Sequence, residues 1–233
     1  HTKEPVHSVV TVPDPRFEYF VGLYNPKKIS PATIDFVDDI ARLGTDRGRE
    51  YSDEAMGELR TADALVLVVD AFETSPPDPD NVQSEVMQFM EELTFRDLMV
   101  LENRLERIAK QLRGPQAAQN LRVEQQAVEK MKAALEQGQR YSDVQLDETE
   151  RKSLAGFQLL TAKPTVVAIN VGEDIASEAD ELFSATLGYL TSIGIQGFCL
   201  SADIEKEISE LEEADQKEYL AGLGISEPVA DKM

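Results

Sequence analysis

Two runs, Ala64-Leu65-Val66-Leu67-Val68-Val69-Asp70 and Pro164-Thr165-Val166-Val167-Ala168-Ile169-Asn170, are apolar nearly throughout and close on one polar residue. A continuous apolar run of that length fits a parallel strand covered on both faces. Gly197-Phe198-Cys199-Leu200-Ser201 is a third, shorter run of the same kind. Residues 52–62, 177–190, 204–211 and 214–223 carry helical spacing, so strands and helices alternate. That alternation predicts an α/β fold with a mostly parallel sheet, right-handed crossovers and helices on both faces. Ligands of such sheets sit beyond the carboxyl ends of the strands. Asp70, Asn170 and Ser201 fall at those ends. So does Asp38, which closes the alternating run Thr33-Ile34-Asp35-Phe36-Val37-Asp38. Ser8-Val9-Val10-Thr11-Val12 is a further short strand, stopped by Pro13-Asp14-Pro15 because proline supplies no ladder N–H.

The middle of the chain has a different period. After Ser75-Pro76-Pro77-Asp78-Pro79, no proline or glycine occurs until Gly114-Pro115. Leu98, Leu101, Leu105, Ile108 and Leu112 recur at alternating spacings of three and four, the signature of a coiled-coil seam. Gly114-Pro115 breaks the helix and starts another, whose Leu121, Val128, Met131 and Leu135 continue the seam up to Gly138. Two helices joined by a short turn pack antiparallel. The expected organisation is a first part of one α/β domain over 1–82, an inserted antiparallel helical coiled-coil hairpin over 83–150, and the rest of the domain over 151–233. An ordinary hairpin lying within a globular domain is the alternative; the single apolar stripe favours a projecting arm.

Charge and cysteine content narrow the function classes. Lys and Arg total 23 against 44 Asp and Glu, a formal net charge of -21. A field of that sign repels nucleic acid and anionic membranes, so direct DNA binding is not expected. The one cysteine, Cys199, lies in an apolar run and reads as a buried structural thiol. His1 and His7 are the only histidines, which leaves little basis for histidine-centred acid–base chemistry. No apolar run reaches membrane-spanning length, no membrane partner is expected, and the expected compartment is the cytoplasm.

The residues that can carry chemistry lie at strand ends. Asn170-Val171-Gly172-Glu173 follows an apolar strand directly. Asn170 can donate and accept hydrogen bonds, and Glu173 can accept from a ring N–H or exocyclic amine, so together they can read the edge of a purine. An ordinary strand-to-helix loop uses the same residue types. Ser201-Ala202 ends the next strand, where small residues let backbone N–H groups approach a planar ligand; Ser201 also suits a helix N-cap. Asp38 and Asp39 can hold Mg²⁺ through water, or can be a solvated strand end.

These stretches, in this order, resemble the YchF or Obg-like ATPase family of translation-factor-related P-loop NTPases. The resemblance is carried by Val12-Pro13-Asp14-Pro15-Arg16, Ile34-Asp35-Phe36-Val37-Asp38, Arg60-Thr61-Ala62-Asp63-Ala64, Glu102-Asn103-Arg104-Leu105-Glu106-Arg107 and Leu159-Leu160-Thr161-Ala162-Lys163-Pro164. Asn170-Val171-Gly172-Glu173 is similar to the family's Asn-Val-x-Glu base-recognition motif, and Ser201-Ala202 to its second base-contacting loop. The resemblance implies a Ras-like nucleotide domain with a coiled-coil insertion. It implies base contacts from Asn170, Val171, Glu173, Ser201 and Ala202, and Mg²⁺ with ATP or GTP as cofactor. It also implies slow hydrolysis and association with a ribosome or translation factor. Thr2 matches the position of a Mg²⁺-sensing switch threonine. Glu173 in place of a shorter aspartate, with no lysine at 171, implies ATP binding at least as readily as GTP.

The chain also departs from the family. It contains no Gly-x-x-x-x-Gly-Lys-Ser/Thr phosphate loop. The resemblance places that loop before His1, and a TGS domain just after Met233. Asp38-Asp39-Ile40-Ala41-Arg42 stands where the family has Asp-Ile-Ala-Gly. Catalytic residues are therefore not assigned. Two expectations follow: a slow ATPase or GTPase if a phosphate loop lies upstream of His1, with the 233 residues themselves inactive, or a non-hydrolysing paralogue that docks partners through its helical arm. The start inside a family motif favours a piece of a longer protein.

Overall fold

The computed structural model describes residues 6–38, 53–72, 77–112 and 119–225. The chain divides into two compact units, 1–58 and 59–233.

In the first unit, strand β1 (Val6–Thr11) pairs antiparallel with β2 (Thr33–Asp38), with Val6 opposite Asp38 and Thr11 opposite Thr33. Helix α1 (Pro15–Tyr24) joins them. Its start is dictated locally: Asp14 caps it by accepting the Arg16 N–H at 2.9 Å, and Pro15 holds the first helical φ. Asn25, at φ 43, closes it in the left-handed region and returns its N–H to the Val21 carbonyl. Sequence spacing assigns only one helix to the first 82 residues, over 52–62. The structure has α1 as well as α2 (Asp53–Thr61), because the Asp14-Pro15 cap outweighs a face without a clear apolar stripe.

The second unit is built on a three-stranded parallel sheet of order β3-β4-β5, formed by Leu65–Asp70, Thr165–Asn170 and Gln196–Leu200. Asp70 lies opposite Asn170, and Asn170 opposite Leu200, so the three strands end level. Helix α3 (Pro79–Leu112) packs on β3, and α7 (Ser184–Ser192) packs on β5. Coverage on both faces, expected for β3, is not what this unit supplies. Leu65, Leu67 and Val69 are buried while Val66 and Val68 remain exposed, because α3 covers one side only. The single amphipathic helix expected over 177–190 is instead two, α6 (Ala179–Leu182) and α7, interrupted at the fully buried Phe183.

Helix α3 does two jobs along its length. Val82, Val86, Phe89 and Leu93 bury toward the sheet layer. Farther along, Leu101 and Ile108 are fully buried, and α3 packs with α4 (Gln119–Glu136) through Ala127, Val128, Met131 and Leu135. Arg104 pairs with Glu124 at 2.6 and 2.7 Å, and Glu102 with Lys132 at 3.3 Å, so residue number rises on one helix as it falls on the other. The hydrogen bond to Glu124 holds the Arg104 guanidinium above its usual pKa. Helix α5 (Glu148–Ala155) closes this cluster with Leu146 and Leu154; its start is a capping box between Asp147 and Glu150. The Gly114-Pro115 break lies outside the described residues. Helices α8 (Ala202–Ser209) and α9 (Glu213–Gly222) pack on each other through Ile204, Ile208 and Leu220.

Cys199 is a buried thiol, 3% exposed, next to the last residue of β5. Its thiol should react with a disulfide reagent on the order of a thousandfold more slowly in folded protein than in urea, because access requires opening of the sheet. Native-state reaction at the rate of a free thiol would place β5 at the surface.

Candidate functional site

The parallel register brings the ends of β3, β4 and β5 to one edge. There the Asn170 side chain bridges both neighbours. Its Nδ2 donates to Asp70 Oδ1 at 3.2 Å, and its Oδ1 accepts the Ala202 N–H at 3.0 Å. The backbone repeats the same ties: the Ala71 N–H donates to the Asn170 carbonyl at 2.7 Å and the Val171 N–H to the Leu200 carbonyl at 2.8 Å. The 170–173 loop and the 201–202 loop are thus directly bonded to each other. Among the described residues, the half-buried Asn170 amide has one further donor hydrogen and one further acceptor lone pair without a partner.

Ser201 is 5% exposed, and its Oγ meets no hydrogen-bond partner among the described residues. It precedes α8 with extended backbone, yet the side chain does not cap that helix. Ser201 does stand at the N-cap position of α8, but it serves the helix through its backbone carbonyl, which accepts the Glu205 N–H at 3.0 Å, and not through its side chain. A buried hydroxyl without a partner costs about 1–3 kcal/mol, and it sits beside the Asn170–Ala202 bond.

Val171 is 2% exposed and anchors the loop inward, while Glu173 is exposed at the start of a short 3-10 turn, Glu173–Ile175. The Tyr219 hydroxyl on α9 donates to Glu207, and that bond first, then desolvation and the charges of Glu207 and Glu173, hold the tyrosine above its ordinary pKa. This puts the Glu173 carboxylate in the electrostatic range of α9.

Phe72, not singled out in the sequence, belongs to the same edge. It is 51% exposed, and a Cβ added at Gly172 would lie 3.9 Å from the Phe72 Cβ and 2.6 Å from an Asp174 carboxylate oxygen. Even alanine at 172 would therefore displace the Asp174 side chain. The signal available in the sequence was position: an aromatic two residues past a strand end, with nothing apolar after it. The three loops, 70–72, 170–174 and 201–205, contain no Lys or Arg. Their chemistry suits a neutral ring with donors and acceptors rather than a bare phosphate.

The metal candidates belong to the first unit by sequence. Asp38 closes β2 in the other unit, where the strand is described but its side chain is not; Asp39 and Thr2 lie outside the described residues. Among the described residues no cluster of three acidic, histidine or cysteine side chains is arranged to hold a metal ion. Nor is any described helix long and apolar enough to cross a membrane.

No protein-family model matches the chain. Among curated proteins it is 30% identical to "Ribosome-binding ATPase YchF" of Pasteurella multocida, over 97% of the chain and 63% of that protein. It is 32% identical to "Obg-like ATPase 1" of Oryza sativa, over 74% of the chain and 45% of that protein. The chain thus spans just under two thirds of the length of the first YchF relatives. Among solved structures it superposes on the YchF GTPase of Schizosaccharomyces pombe with a TM-score of 0.81 at 23% identity, covering 99% of the chain and 64% of that structure. With its fold, the order of its strand-end loops and these likenesses in agreement, the chain is similar along nearly its whole length to the YchF and Obg-like ATPases.

Proposed function

We propose that this chain contributes the base-recognising part of a purine nucleotide site, in an ATP- or GTP-binding protein associated with the ribosome or a translation factor in the cytoplasm. The observation that carries the reading is the Asn170 bridge to Asp70 and Ala202, with the partnerless Ser201 hydroxyl beside it. That geometry preorganises one amide donor, one acceptor and a hydroxyl at a strand-end edge free of cations. Asn170, Glu173 and Ser201 meet the polar edge of the ring, Val171 takes part through its backbone carbonyl and Ala202 through its exposed methyl, and Phe72 flanks a ring face.

Phosphate binding is a separate requirement. It needs an amide nest and a lysine, and the 233 residues contain no such motif. Asp38 and Thr2 are the residues proposed to hold Mg²⁺. Slow hydrolysis depends on a phosphate loop, and Arg42 stands in place of the glycine that otherwise offers its N–H to the γ-phosphate. The names of the YchF relatives support the ribosome and ATPase parts of the reading. The second reading, a non-hydrolysing protein that docks partners through a projecting α3–α4 coiled-coil arm, is favoured by the seam of Leu101, Val128, Met131 and Leu135 with its flanking ion pairs.

The test is a fluorescence titration of the complete gene product with mant-ATP and mant-GTP in Mg²⁺. Binding of at least one nucleotide is expected, weakened about 10- to 100-fold by Asn170→Ala, as for loss of one or two hydrogen bonds. No binding of either nucleotide at millimolar levels would end the reading. Unchanged affinity in the variant would remove Asn170 from the base site.

A further inference from the structure

We infer that a groove along α3, at the opposite end of the sheet from the candidate site, docks a basic amphipathic helix of another protein. The groove encloses about 920 Å³ beside the starts of β4 and β5. One wall is α3, through Met87, Met90, Phe95 and Leu98; the other includes Tyr189 and Ile195. Met87 is 42% exposed and Phe95 57%, so these side chains are not consumed by the core that α3 makes through Val86, Phe89 and Leu93. From Met87 to Leu98 the wall runs about 17 Å at the helical rise, or three turns of a docked helix. An apolar trough of that length, with flexible thioethers in its wall, is the surface that receives the apolar face of an amphipathic helix.

Charge selects the occupant. The two cations of the groove are already engaged. Arg140 donates to both Asp143 oxygens at 2.8 Å and to the Ile193 carbonyl, and Lys163 donates to the carbonyls of Arg60 and Ala62. Burial also lowers the Lys163 pKa below its usual range. Glu91, by contrast, is exposed on the rim and meets no partner among the described residues. A second trough on the same helix, floored by Met87, adds Asp80 to the rim. The whole chain carries a net charge of -21. A docked helix therefore meets an apolar floor under a negative field, which favours lysine or arginine on its polar face and disfavours nucleic acid or a second copy of this chain.

The complete gene product is titrated with a labelled Leu/Lys amphipathic helix of about five turns, and with its Leu/Glu counterpart, by anisotropy at about 0.15 M salt. Selective binding of the Leu/Lys helix is expected. Phe95→Glu should weaken it about tenfold or more, as removal of a central aromatic contact does, while Phe95→Leu retains it. The discriminating feature is sign: Phe95→Glu adds negative charge, so binding by charge alone would tighten. Because Phe95 is exposed, melting curves of both variants should match the parent. Unchanged or tighter binding by Phe95→Glu overturns the inference, and so does equal binding of the two peptides. A dimer in sedimentation that Phe95→Glu dissociates would assign the groove to a second copy and overturn it likewise.

Discussion

Replacing Asp97 by alanine will destabilise the α/β unit by about 3–5 kcal/mol, the range for removing one member of a buried charge pair. Asp97 is fully buried. Its carboxylate accepts from Arg60 Nη1 at 3.0 Å, the Leu160 N–H at 3.0 Å, and the Thr161 N–H and hydroxyl at 2.8 and 2.9 Å. One side chain thus ties the end of α2, the middle of α3 and the turn before β4. Alanine would strand the mostly buried Arg60 guanidinium and two backbone N–H groups in the same step. Asn at 97 keeps the shape and some of the bonds but lacks the charge, so its loss should be intermediate. Urea unfolding of the complete protein, with unchanged m-value, measures both. A loss under about 1 kcal/mol for Asp97→Ala would show that water replaces these bonds and that the hub is not structural.

Asn170→Asp will impair the site more than Asn170→Ala, although aspartate is the closer shape. The Asn170 amide donates to Asp70 Oδ1 at 3.2 Å, and a carboxylate placed there cannot donate. Two like charges near 3 Å at a half-exposed edge repel by about 1–4 kcal/mol, toward the lower end because water screens them. The loop would swing away from Asp70, taking Glu173 and the hydroxyl of Ser201 out of register. We expect nucleotide affinity to fall about 100-fold or more in Asn170→Asp, against 10- to 100-fold in Asn170→Ala. Protonation of the new pair should restore part of the loss as pH falls below about 5, because the repulsion raises the pKa of one of the two carboxyls. Equal affinities for the two variants at neutral pH, with no recovery in acid, would mean that Asp70 does not face the amide in solution.

The two tests probe parts of the chain that differ in how readily the sequence discloses them. The placement of Asn170 and Ser201 at strand ends was legible because apolar runs mark the strands without ambiguity, and such ends in a parallel sheet are where ligands gather. The seam residues Leu101, Ile108, Val128 and Met131 were legible because helical spacing repeats, and all four are fully buried. Asp97 was not singled out, yet its position carried a signal. It falls four residues after Leu93 and four before Leu101, on the buried stripe of α3, where a carboxylate must have partners. Those partners come from residues 60 and 160–161, and no local pattern connects them to α3. Helix α1 was hidden for a different reason: its face carries exposed Tyr19, Phe20, Leu23 and Tyr24 without helical segregation, and only the Asp14-Pro15 cap marks its start.

By itself the sequence determined the five strands, the helices other than α1, α5 and the break between α6 and α7, the level at which three strands end, and the apolar stripe that holds α3 to α4. Each of these follows from a local periodicity or cap, set by residues a few positions apart. Only the tertiary structure decided that Asn170 spans from Asp70 to Ala202, that the Ser201 side chain is buried and makes no capping bond to α8, that Phe72 flanks the same edge, and that Phe95 and Met87 line an open groove. Those outcomes depend on strand register and on which helix covers which face. Both are settled by contacts between residues dozens to a hundred positions apart, whose free energies no single segment contains.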